Sequence, residues 1–257
     1  MKIAAYQFAV SGNINDNIET IKRAIVEASG QKVELIVFPE CSLSGYPPRD
    51  IESSAEVDDC KIREILADFQ SMSEEYGISI IIGTISYENS KYYNRAYYFS
   101  PGKLMQWYGK RALYGWDADN FSAGEEAGIF DIAGLRVGVR ICYEIRFPEY
   151  FRQLYLENTD LNIVLFYDVA DKADDNRYQL IRSHIITRAV ENVTPCLTVN
   201  ATSPNQTAPT CFVDASGKVC AELEQGKEGM LIYGFEKKKL NFGELGRKKY
   251  SDILLGI

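Results

Sequence analysis

The spacing of the apolar residues switches period several times in the first third of the chain, and that switching constrains the fold most. Ile3 to Phe8 is a short apolar strand. Asn13 or Asn15 then offers an N-cap, Ile14, Ile18, Ile21 and Ile25 follow at helical spacing, and Gly30 closes the helix. Leu35-Ile36-Val37-Phe38 reads as a buried strand stopped by Pro39. Ile62, Ile65, Leu66, Phe69 and Met72 mark a second helix that ends near Gly77, and Ile78 to Ile85 is a β-branched strand. Strands that alternate with helices predict parallel pairing with helices on the faces.

The remainder is richer in strands. Tyr92 to Phe99 and Leu104 to Tyr108 flank a turn at Ser100-Pro101-Gly102-Lys103, and Gly128 to Ile132 and Leu135 to Ile141 flank Ala133-Gly134. Pro148 opens a helix to about Leu156, Leu161 to Tyr167 is a buried strand, Tyr178 to Glu191 a helix and Cys196 to Val199 a strand. Segment 210–235 reads as hairpins around Ala215-Ser216-Gly217-Lys218. The sum is an α/β domain with mixed sheets. A chain of 257 residues is near the length at which one core stops growing, so a single domain over 1–257 is expected, with 236–257 a peripheral arm. Its lysine-rich runs, Lys237-Lys238-Lys239 and Arg247-Lys248-Lys249, are read as solvated surface.

A net charge of −8 argues against nucleic acid or an anionic membrane as partner, since both reward a basic surface. No apolar run reaches the roughly 18 residues that a bilayer needs, and Met1 to Gln7 runs into strand-like sequence with no leader pattern. The six cysteines (Cys41, Cys60, Cys142, Cys196, Cys211 and Cys220) form no C-x-x-C pair, and His184 is the only histidine. A metal site is therefore not expected. Free thiols in a reducing cytoplasm are.

Three segments carry chemistry. In Phe38-Pro39-Glu40-Cys41 a carboxylate follows a buried strand, where ligands sit in open α/β sheets and where desolvation raises a pKa toward that of a useful base. In Trp107-Tyr108-Gly109-Lys110-Arg111 a lysine leaves a strand and offers a fixed ammonium to a developing oxyanion. In Gly138-Val139-Arg140-Ile141-Cys142-Tyr143-Glu144-Ile145-Arg146-Phe147-Pro148 an apolar strand ends in a cysteine and turns, the pattern of a nucleophile elbow. Taken singly each has a plainer reading, Glu40 as a loop cap, Lys110 as a surface lysine and Cys142 as inert packing; together they suffice for amide hydrolysis. Glu40 takes the thiol proton, the Cys142 thiolate attacks the carbonyl carbon, and Lys110 with the backbone N–H of Tyr143 holds the oxyanion.

Phe-Pro-Glu near 40, Tyr-x-Lys near 110 and Ile-Cys-Tyr-Glu-x-Arg-Phe-Pro-Glu near 142 resemble, in order and spacing, the three signature blocks of the nitrilase, or carbon–nitrogen hydrolase, superfamily. The resemblance runs from Met1 to about Phe235. It implies a four-layer αββα sandwich with two mixed sheets and a Glu40-Lys110-Cys142 triad. It also implies a small amide substrate, no metal or organic cofactor, and pairing into homodimers or larger homo-oligomers. The chain departs from the pattern at Ala118, where relatives carry a second Glu, and at Ala112, where they carry a histidine. Either Asp117 or Asp119 takes over the first role, or the role is absent. Tyr143, where true nitrilases have Trp, favours an amidase, and Glu144 stands where Asp is common.

Other residues bear on substrate and class. Gly45-Tyr46-Pro47-Pro48 resembles the loop after the Glu in the glutamine-hydrolysing domains of NAD synthetases, which makes Tyr46 either a pocket residue or part of a rigid turn. Arg146 is a candidate for a substrate carboxylate or a structural ion pair. Trp107, Trp116 and Phe121 are expected mainly as packing. Cys41 is expected to be inert, and His184 to be a surface or satisfied histidine rather than a partner of Cys142. The leading reading is an amidase or carbamoylase for a small carboxylate-bearing molecule. The alternatives are a glutaminase-like subunit that supplies ammonia, a catalytically silent scaffold of the same fold, and a thiol protease using His184.

Overall fold

A computed structural model describes residues 1–257. Two six-stranded sheets form its centre. The first holds β1 (Lys2–Gln7), β2 (Leu35–Val37), β3 (Ser79–Glu88), β4 (Lys91–Phe99), β5 (Gln106–Gly109) and β12 (Gly229–Gly234), in the order β12-β1-β2-β3-β4-β5. The second holds β6 (Ile129–Ile132), β7 (Leu135–Ile141), β8 (Leu161–Leu165), β9 (Cys196–Val199), β10 (Cys211–Val213) and β11 (Val219–Glu222), in the order β11-β10-β9-β8-β7-β6. In each sheet three parallel strands (β1-β2-β3 and β7-β8-β9) are flanked by antiparallel ones.

Side-chain alternation decides which layers touch. Ile3 and Ala5 of β1 point into the space between the sheets, where they meet Val137, Val139, Leu161 and Ile163 of the second sheet. Ala4 and Tyr6 point to the other face, against Ile21 and Ile25 of α1 (Ile14–Gly30) and Ile62 and Phe69 of α2 (Asp59–Tyr76). The outer face of the second sheet is covered by α4 (Pro148–Leu156) and α5 (Asp175–Glu191), through Phe151, Leu154, Ile181 and Ile185. Strands buried on both faces read as continuous apolar runs, which is why β2 and β8 were conspicuous in the sequence. The architecture is the expected αββα sandwich.

The helix ends follow the local chemistry. Asn13 caps α1, its side chain accepting from Asn15 N, and Gly77 closes α2 in the left-handed conformation. The turn at Ala133-Gly134 has positive φ at both residues and joins β6 to β7 as a tight hairpin. The reading of 210–235 as hairpins holds only in part. β10 and β11 form one, but β12 leaves that sheet and pairs antiparallel with β1 in the other. There Leu231 enters the inter-sheet core and β1 gains a partner on its open edge. Hydrophobic spacing carries no information on which sheet a strand joins. The last helix, α6 (Phe242–Leu255), buries none of its residues.

Candidate active site

The carboxyl ends of β2, β5, β7 and β8 converge at one end of the sandwich, and the residues beyond them build the site. Glu40 lies three residues past the end of β2, fully buried. Its N–H donates to Phe166 O (3.2 Å), beyond β8, so the loop bridges the two sheets. β3 admits that loop only through Gly83. A Cβ there would lie 2.4 Å from Pro39 O and 2.7 Å from Glu40 Cα. The Glu40 carboxylate accepts three hydrogen bonds: from Lys110 Nζ (2.8 Å) and Asn94 Nδ2 (2.7 Å) on Oε1, and from Tyr167 N (2.9 Å) on Oε2.

Lys110 follows β5 and is held by its backbone. Its N–H donates to Asn94 O (2.8 Å) and its carbonyl accepts from Gly124 N (3.0 Å). The ammonium, in a residue only 2% exposed, reaches Glu40 on one side and Asp117 Oδ2 (2.7 Å) on the other. Asp117 also accepts from Tyr46 OH (2.7 Å), and the Tyr46 ring lies flat on Tyr167, 4.7 Å between centroids. A cation between two carboxylates in a dry site is stable only when each partner is paired and hydrogen-bonded, as here. Burial alone would depress the lysine, but Glu40, Cys142 and Asp117 outweigh it and hold its pKa well above the ordinary value. For Glu40, burial raises the pKa, Lys110 opposes, and the net result stands above the usual carboxylate range.

Cys142 follows β7 directly, with φ of 45°. A non-glycine residue there is rare and is a mark of nucleophile elbows. Glu144 fixes the turn that follows. Fully buried, it accepts from Ile141 N (2.7 Å) on one oxygen, and from Tyr108 OH (2.7 Å) and Arg111 N (2.8 Å) on the other. One carboxylate thus joins the Cys142 turn to the segment around Lys110. Burial pushes the Cys142 thiol well up, Glu40 adds to this and Lys110 opposes it, so the resting group is a thiol.

A cavity of about 180 Å3 opens at Cys142, lined by Lys110, Asp117, Tyr46, Tyr143, Arg146, Asp168 and Arg177 among others. Drug-sized pockets run to roughly 300–1,000 Å3, so this one suits a small molecule. The Tyr143 ring packs against Tyr114 and Phe147 on the rim. Arg146 lines the cavity with its backbone carbonyl engaged by Arg188, and its guanidinium makes no ion pair.

Of the residues singled out in the sequence, Glu40, Lys110, Asp117 and Tyr46 form one bonded network, and Cys142, Tyr143 and Arg146 share its cavity. Asp119 is exposed and takes no part. Glu144 lies behind the turn, outside the cavity lining. Cys41 is fully buried, its thiol pushed up by burial and by Glu40, and His184 lies on α5 outside the lining. Sequence reasoning missed four residues. Asn94 and Tyr167 position Glu40, and Asp168 and Arg177 wall the cavity. Tyr167 and Asp168 follow the end of β8, and the strand-end rule that drew attention to Glu40 applies to them equally. For Asn94 and Arg177 no comparable signal exists.

A strand-end thiol thus shares one cavity with a buried ammonium–carboxylate network at one end of an αββα sandwich. Residues 2–239 match the family model for carbon–nitrogen hydrolases, and the chain belongs to that family. It is 28% identical over 229 residues to a 2-oxoglutaramate amidase of Bacillus subtilis, covering 86% of this chain and 85% of that one. To an omega-amidase of Xenopus laevis it is 31% identical over 165 residues, 60% of this chain and 58% of the other. The fold superposes on an amidase from Nesterenkonia sp. with a TM-score of 0.81 at 22% identity, over 97% of this chain and 96% of that one. A form of that amidase carries the acetamide moiety of fluoroacetamide on its active-site cysteine. Hydrolysis of amide carbon–nitrogen bonds is accordingly the activity of this chain.

Proposed function

We propose that the chain hydrolyses the amide of a small carboxylate-bearing molecule through a thioester on Cys142. The supporting observation is the arrangement of charge in one small cavity. A thiol lies beside a fully paired Lys110, and an unpaired Arg146 lines the same space. The B. subtilis relative is by its name an amidase of 2-oxoglutaramate, a carboxylate-bearing amide, and the X. laevis relative is by its name an omega-amidase.

The protonated resting thiol means that attack and deprotonation are coupled. Glu40 accepts the Cys142 proton as sulfur bonds to the amide carbon. The carbonyl oxygen gains negative charge beside Lys110 and the turn that begins at Tyr143. The intermediate collapses, the C–N bond breaks, and the nitrogen leaves as ammonia with the proton returned by Glu40. Water, deprotonated by Glu40, attacks the thioester. The acid departs and the proton goes back to sulfur. Asp117 takes the place of the second Glu of relatives by holding the far side of the ammonium.

Self-association is part of the same proposal. α6 shows Phe242, Leu245, Ile253 and Leu254 to solvent, and its segment carries Lys237 to Lys239 and Arg247 to Lys249 on an otherwise acidic chain. A second copy offers both apolar cover and opposite charge. A free nucleophilic thiol also favours a reducing, cytoplasmic setting, and residues 236–257 serve as an arm on one catalytic domain. The test is ammonia release from paired amides of equal length, one ending in a methyl group and one in a carboxylate, with Cys142→Ala in parallel. Preference for the carboxylate member, lost in the variant, supports the reading. Equal or better turnover of the methyl member refutes the carboxylate assignment.

A further inference from the structure

The cavity lining holds, besides Arg146, a second and differently prepared arginine. Arg177, in the first turn of α5, donates from Nε to Asp168 Oδ1 (2.7 Å) and from Nη2 to Asp168 Oδ2 (2.9 Å). Asp168 is itself 6% exposed and is held from behind. Thr207 Oγ1 donates to its Oδ1, Asn200 Oδ1 accepts its backbone N–H (2.9 Å), and its carbonyl accepts from Asn200 Nδ2 (2.8 Å). The guanidinium is therefore locked edge-on by a buried carboxylate that is locked in turn. A guanidinium has five N–H donors and this fork uses two. The remaining three sit on a side chain that lines the cavity and keeps 45% of its surface exposed.

The charge balance of this arginine-bearing part of the lining is informative. Arg177 and Asp168 cancel, which leaves the unpaired Arg146 as its one net positive charge. Such a wall matches a single carboxylate, with Arg146 supplying the charge and Arg177 supplying pre-aimed donors at no further ordering cost. We propose that Arg177, positioned by Asp168, is a specificity-determining residue that selects amides whose far end carries one carboxylate. This rests on the carboxylate reading above and adds a residue to it.

The test compares Arg177→Met, Arg177→Lys and the double change Arg177→Met with Asp168→Asn, which removes both charges and leaves no buried carboxylate unpaired. KM and kcat are measured on the methyl-ended and carboxylate-ended amides. The expected result is a KM for the carboxylate series raised roughly tenfold to a hundredfold in all three, with kcat and the methyl series largely unchanged. Lysine should not rescue, since it lacks the fork. A parent that prefers carboxylate amides, with variants that keep that preference, overturns this inference alone. A parent with no such preference overturns the carboxylate reading and this inference with it. Equal losses on both series reduce Arg177 to a structural role and also overturn it. Should no amide of the panel turn over, protection of Cys142 from iodoacetamide by glutarate, read by peptide mass spectrometry, decides. Protection lost in the double variant supports the proposal, and protection retained refutes it.

Discussion

The two sheets contribute unequally to the site. The first supplies Glu40, Lys110, Asn94 and, beyond β5, Asp117, a set that is buried and bonded to itself. The second supplies Cys142, Arg146, Asp168 and Arg177, which line open space. Charge that develops on a carbonyl oxygen is best met by groups that need no reorganisation. Substrate choice needs groups that can still form bonds. On the function proposed above, the division assigns the proton chemistry to the first sheet and recognition, together with the nucleophile, to the second.

Cys142→Ala tests the nucleophile and should have the largest effect, lowering kcat by on the order of 10^4 or more, with the fold retained. A variant with residual turnover within tenfold of the parent would place the nucleophile elsewhere. Lys110→Met comes next and attacks the buried set. It leaves Glu40 and Asp117 facing each other without a cation, so about 3–5 kcal/mol of stability should be lost along with turnover. Thermal and chemical denaturation check this. Unchanged stability would mean that the first sheet is less tightly tied than its geometry implies.

These differences also explain what the sequence made legible. Glu40, Lys110 and Cys142 were visible because each directly follows an apolar run and the three blocks stand in register. The four layers followed once the family was recognised, and most strands and helices appeared within a few residues of their ends. The crossing of β12 to the other sheet was not visible, since residues 229–234 have the same spacing in either sheet. Nor was the choice between Asp117 and Asp119, two residues apart on a short helix (Trp116–Asn120) whose orientation only tertiary packing fixes. Arg177 looked like any charged residue at a helix start. Its partner, Asp168, is nine positions earlier in the chain and meets it only because β8 and α5 pack together.

Asn94→Ala is a finer probe of the first sheet. The amide donates to Glu40 and so favours its charged form, although burial keeps the net pKa raised. Glu40 must be ionised to accept the thiol proton, so kcat/KM should fall as pH drops through its pKa, at a limb above the usual carboxylate range. Losing the donor removes stabilisation of the anion, and the limb should move to higher pH still. The effect should be about tenfold in rate on the acid side, shrinking as pH rises. A limb that moves down, or a uniform loss across pH, would detach Asn94 from Glu40.

The smallest effect, that of Asp119→Asn, falls within the residue pair that sequence could not separate. Asp117 touches Lys110 at 2.7 Å and is 5% exposed, whereas Asp119 is exposed and bonded to neither Lys110 nor Tyr46. Asp117→Asn keeps the shape but removes one of the two anions holding the ammonium. It should cost activity by roughly tenfold to a hundredfold, while Asp119→Asn should change kcat/KM and stability by no more than about 0.5 kcal/mol. The comparison is sharp because both changes remove one charge from the same short helix and alter the long-range field almost equally. Similar losses in the two variants would mean that the field of the helix, not the contact with Lys110, is what the reaction uses. A loss confined to Asp117→Asn ties the missing second carboxylate of this chain to one atom pair.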